Sequence, residues 1–83
     1  MFWGMLIKMY YAPGEHNPPH IHVEYQEFEA SFNIRTGAID AGKMPRRQTR
    51  LVQAWIEIHR EDLLADWKLC QDGLEPMKIE PLK

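Results

Sequence analysis

Between His20 and Gln26 the chain alternates strictly: Ile21, Val23 and Tyr25 are apolar, and His20, His22 and Glu24 between them are polar. A period of two sends successive side chains to opposite faces, so this stretch predicts a half-buried strand with its imidazoles on the wet side. Phe28 to Ile34 repeats the pattern, with Phe28, Ala30, Phe32 and Ile34 set against Glu29, Ser31 and Asn33. Upstream, Leu6 to Tyr11 is rich in β-formers and ends at Pro13-Gly14, which predicts a first strand, though without clean alternation. Downstream, Thr36-Gly37 turns the chain into a short fourth strand, Ala38 to Asp40. Together these predict an antiparallel meander with one apolar and one polar face.

The period then changes. From Pro45, in a first helical turn, to Gly73, suited to the C′ position with Leu74 as its apolar partner, the residues Val52, Trp55, Ile56, His59, Leu63, Trp67 and Cys70 fall on one stripe at helical spacing. That stripe is expected to cover the apolar sheet face. The tail Leu74 to Lys83 carries Pro76 and Pro81 and reads as an edge strand or strap. The expected fold is α+β: a small antiparallel meander of three to four strands, one long helix in the C-terminal half packed on its apolar face, and a short extended tail.

Composition narrows the class. The 83 residues form a single domain, 1–83, and an apolar fraction of 45% with three Trp, three Tyr and three Phe excludes a disordered chain. Cys70, the one cysteine, excludes an internal disulfide and a multi-cysteine zinc site. The start, Met1-Phe2-Trp3-Gly4-Met5-Leu6-Ile7-Lys8, lacks a basic lead and meets Lys8 too early for a signal or membrane segment. A cytoplasmic protein is expected. The net charge of −2 offers no global attraction to nucleic acid, so such binding needs a local basic patch.

Candidate chemistry is concentrated in His16-Asn17-Pro18-Pro19-His20-Ile21-His22-Val23-Glu24, which holds three of the four histidines. Two residues apart on a strand, His20 and His22 project the same way with Cα atoms roughly 6.5–7 Å apart. They could chelate a divalent ion such as zinc or manganese, with Glu24 or His16 as a third ligand. The same pattern occurs in metal-dependent nucleases that cut DNA with a helical tyrosine, but this helix has none. Without metal, His16, His20 and His22 are candidates for acid–base catalysis and Glu24 for an orienting carboxylate. The plain alternative is a solvated polar face. His59, on the apolar stripe, reads as a core histidine, and Cys70 as a structural thiol.

The helix charges supply a third feature. Lys43, Arg46, Arg47 and Arg50 gather at its N-terminal end, and Glu57, Glu61, Asp62, Asp66 and Asp72 occupy the remainder. Both groups oppose the helix macrodipole, and Arg46 and Arg50 are like charges at i,i+4. Such a basic end could hold an anion, a phosphate backbone or an acidic partner, or be a solvated run whose arginine stems cover apolar surface.

The chain also resembles a known family. GMLIKMYY from Gly4, HNPPHIHVEY from His16, Glu29-Ala30, the Gly37 turn, Gly42-Lys43-Met44-Pro45, Trp55 to Glu61 and Lys78 to Leu82 are similar to the small bacterial family catalogued as domain of unknown function number four thousand one hundred and sixty. The resemblance implies a short bacterial protein, encoded beside another small protein and so connected with toxin–antitoxin modules; it carries over no catalytic residues. The leading expectation is therefore a toxin–antitoxin-type component acting through that small protein and on RNA. A non-catalytic protein-binding module and a metal-dependent nuclease or hydrolase using His20 and His22 are the alternatives. A second copy of the chain is a further candidate partner.

Overall fold

The computed structural model describes residues 3–9 and 18–73. Among them are four strands, β1 (Leu6–Lys8), β2 (His20–Tyr25), β3 (Phe28–Asn33) and β4 (Ile39–Lys43), followed by one helix, α1 (Arg46–Gln71). All pairings are antiparallel and the order in the sheet is β1-β2-β3-β4, the expected meander. His16, Tyr10, Tyr11, Leu74 and the tail lie outside the described residues.

Alternation places Ile21, Val23, Ala30 and Phe32 on one face, and these pack with Met5, Ile34, Val52, Trp55, Ile56, Leu63 and Trp67 in a single core. The helix therefore covers the apolar side of the sheet, as its stripe predicts. Two side chains tie helix to sheet across the periphery of that core: Gln53 Nε2 donates to the Gly37 carbonyl at 3.0 Å, and Arg60 Nε to the Ile34 carbonyl at 3.0 Å.

Two boundaries differ from the sequence reading, the end of the fourth strand and the start of the helix. The fourth strand runs on to Lys43, because the register steps from Ser31↔Ala41 to Phe32↔Ile39 and leaves Asp40 as the extra residue of a bulge. A bulge breaks the period of two, so alternation could not reveal Ala41-Gly42-Lys43 as strand. Lys43 accordingly belongs to the sheet, paired with Glu29, and not to the helix end. Pro45 sits one position before the helix, with φ −56° and ψ 150°, and the helix has no side-chain cap there. At the other end Gly73 takes φ +78° and donates to the Cys70 carbonyl at 3.1 Å, the expected left-handed stop. The helix is also bent at His59, whose φ of −110° and ψ of 17° leave the helical region.

Candidate functional site

The Pro18-Pro19 pair fixes the start of β2 from its backbone carbonyls. Pro19 O accepts from Ile34 N–H at 2.8 Å, continuing the β2–β3 ladder beyond its last formal pair. Pro18 O lies 2.9 Å from His20 Nδ1. A carbonyl can only accept, so Nδ1 carries the proton and, in the neutral ring, Nε2 carries the lone pair. The indole of Trp67 from α1 lies at 4.8 Å between centroids, tilted by 55°. His22 meets the His20 ring edge-on at 5.1 Å and 74°. Both imidazoles are half-buried and share one side of the strand, as the period of two requires.

Register supplies the neighbours. His22 stands opposite Lys8 on β1 and Ser31 on β3, and His20 opposite Asn33. Glu24 stands opposite Leu6 and Glu29, and Glu29 opposite Lys43. Lys8 reaches diagonally to Glu24, with Nζ and Oε2 2.7 Å apart. With those two side chains 41% and 39% exposed, the pair contributes well under about 1 kcal/mol to stability. Its more useful effect is to hold an ammonium beside the imidazoles. Asn33 is committed to the β3–β4 turn, where its Oδ1 accepts from Arg35 N–H and Thr36 N–H at 2.8 and 3.1 Å.

The residues singled out in the sequence thus separate into two regions. His20, His22 and Glu24 form one polar patch, to which the fold adds Lys8. Lys43 is on the same face, two strands from Glu24, or about 10 Å away. Arg46, Arg47 and Arg50 are exposed at the start of α1, a helix with no acidic residue in its first turn. Roughly 25 Å of helix, at the ordinary rise per residue, separates Arg50 from Trp67, which touches His20. The arginines and the histidine pair therefore do not share a pocket. His59 belongs to neither: it is half-buried at the helix bend, its ring 5.4 Å from that of Trp55.

Two contributors were not legible as site residues. Trp67 reads as core on the helical stripe, and it is core, 6% exposed; its contact with His20 depends on where the helix crosses the sheet. Lys8 joins only through the β1–β2 register. Next to Trp67, Asp66 is buried at 3% exposure, and four residues on Cys70 is buried at 1%. Burial pushes the Cys70 thiol pKa up, and the Asp66 carboxylate adds to the shift.

Among the described residues, no group of three or more His, Cys, Asp or Glu side chains is placed to hold a metal ion. Zinc or manganese at His20 and His22 would therefore need a protein ligand from outside them, and His16 has the right chemistry.

A family described as Domain of unknown function (DUF4160) matches residues 4–68. The chain belongs to this family. The match takes in all four strands and the helix as far as Lys68, so both His20 and its Trp67 support lie within it. No curated protein and no solved structure matches the chain. Among the described residues no helix is long and apolar enough to cross a membrane.

Proposed function

We propose that this chain is the RNA-directed member of a bacterial toxin–antitoxin-type pair, working in the cytoplasm with a small cognate protein. Its chemistry would be acid–base cleavage of RNA on the His20–His22 face. The pairing rests on the family resemblance, and the compartment on the single cysteine, which gives no internal disulfide that an oxidising environment would serve. The chemistry rests on one observation: the Pro18 carbonyl fixes His20 Nδ1 as donor, which leaves Nε2 as the basic nitrogen of a half-exposed ring beside a second imidazole. A neutral imidazole accepts a proton and a protonated one donates it, so the two rings could divide the roles of base and acid.

In the reaction, His20 Nε2 takes the proton of a ribose 2′-hydroxyl as its oxygen attacks the adjacent phosphorus. The bond from phosphorus to the 5′-oxygen breaks, and protonated His22 supplies the proton to that leaving oxygen. The products are a 2′,3′-cyclic phosphate and a 5′-hydroxyl, with no water or redox partner consumed. Lys8, beside His22 in register and held by Glu24, offsets charge on the phosphorane. His16 is a second candidate for the acid. The arginines are too distant to hold the same phosphate, although Lys43, Arg46, Arg47 and Arg50 could contact a longer strand beyond the cleaved bond.

The test is incubation of the purified chain with RNA, with and without a chelator. Chelator-resistant cleavage that falls about 100- to 10,000-fold in His20→Gln and His22→Gln is the expected result. Chelator-sensitive cleavage would assign the two histidines to a metal site instead. No cleavage under either condition would leave a protein-binding module. The edge strand β4 favours that second reading, because its last four residues are exposed and open to strand addition.

A further inference from the structure

Directly opposite the buried stripe of α1 runs a second stripe: Arg47, Arg50, Ala54, Ile58, Glu61, Ala65 and Lys68, at spacings of three and four. At 100° per residue these seven side chains stay within about 40° of one line on the outer face of the helix. All are exposed, and Ile58 is the most exposed large apolar residue described, at 62%. The small side chain of Ala54 permits a close approach of two helices there. Charge changes sign about Ala54: arginines precede it and Glu61, with its neighbour Asp62, follows it, before Lys68 closes the stripe with a second cation.

This distribution is self-complementary. Turning a second copy of the helix by 180° about an axis through Ala54 places Arg47 of each copy against Glu61 of the other and Arg50 near Ile58. The Arg47–Glu61 pair forms twice, as a two-fold interface demands. The antiparallel arrangement also aligns the helix dipoles favourably. Among the described residues, Arg46, Arg47, Arg50, Glu61 and Asp62 have no ion pair within the chain, whereas Glu57 is already engaged by Arg60 at 3.0 Å. A shallow, open depression beside the bend is lined by Glu57, Ile58, Arg60, Glu61 and Asp62, and the incoming Arg47 would reach Glu61 at its margin. Glu61, set against its own macrodipole, then lies at the first turn of the neighbouring helix, where an anion is favoured.

We propose that the outer face of α1 is a homodimer interface, with two copies of this chain packed antiparallel about Ala54 through Arg47–Glu61 pairs. It leaves the cleavage step untouched, since His20 and His22 lie on another surface, but it competes with RNA for the arginines at the start of α1. The test is sedimentation velocity on the full chain across a concentration series at low and high ionic strength, with wild type, Arg47→Glu and Glu61→Arg. Wild type is expected to dimerise, more weakly at high salt. Each variant alone sets like charges together and should associate at least about ten-fold more weakly. An equimolar mixture of the two variants restores both pairs and should recover a dimer of near wild-type strength. Chains that had merely failed to fold would not be rescued by mixing. A wild type that stays monomeric throughout, variants that dimerise as it does, or a mixture no stronger than its components would each overturn the proposal. So would a monomer whose RNA retention falls on Arg47→Glu, since that assigns the arginines to nucleic acid.

Discussion

Single atoms decide more of this protein than its residue types suggest. The Pro18 carbonyl, 2.9 Å from His20 Nδ1, selects one tautomer and so decides which nitrogen can accept a proton or ligate a metal. Gly42 is a second case. It sits in β4 at φ +82°, where a Cβ would lie 2.9 Å from Ala30 Cα and still nearer the Glu29 carbonyl oxygen. Both obstacles are backbone and cannot swing away. Gly42→Ala is therefore expected to cost about 2–3 kcal/mol, at the upper end for single substitutions, measured as a shift in urea midpoint. An unchanged midpoint would mean that β4 has room to separate from β3. Sequence alone shows the glycine but not its demand, because the bulge at Asp40 that brings it against β3 has no signature in the alternation.

At the level of elements, the helix is secured to the sheet by more than apolar contact. Arg60 makes two polar contacts, Nε to the Ile34 carbonyl at 3.0 Å and Nη1 to Glu57 Oε2 at 3.0 Å, and they differ in worth. The first is part-buried and links residues far apart in the chain; its removal leaves a carbonyl without that donor and should cost about 1–2 kcal/mol. The second is an i,i+3 pair whose Glu57 side chain is 71% exposed, worth at most a few tenths of a kcal/mol. Arg60→Ala should thus destabilise clearly while Glu57→Ala stays near wild type in thermal melts. Equal effects would locate the stabilisation in the surface pair. The strands and helix themselves were legible from two periods, 2.0 and 3.6, applied to residues such as Ile21–Tyr25 and Val52–Trp67. The helix bend was not, since His59 continues the apolar stripe and no proline or glycine marks it.

Across the whole molecule, titration of a buried group becomes a property of the fold. Cys70 is 1% exposed and its pKa is raised above the ordinary 9.0 by burial, with Asp66 adding to the shift. Well below pH 9.0 the thiol is protonated in both folded and unfolded chains and contributes no pH dependence. Above it the unfolded chain ionises first, so stability falls with rising pH until the folded pKa is passed. Chemical denaturation from pH 8 to 10 should show this loss in wild type and a smaller one in Cys70→Ala. Equal slopes would show that another group governs the alkaline limb. The same separation holds for the site. Placement of His20, His22 and Glu24 on one polar face follows from the sequence, because side chains on a strand alternate by covalent geometry. The long helix and its buried stripe follow likewise from local spacing. Recruitment of Lys8 and Trp67, the inclusion of Lys43 in the sheet, and the distance between the arginines and the imidazoles were decided only by tertiary structure. Each depends on register or on the helix crossing, which are set by contacts between residues far apart in the chain and leave no local pattern to read.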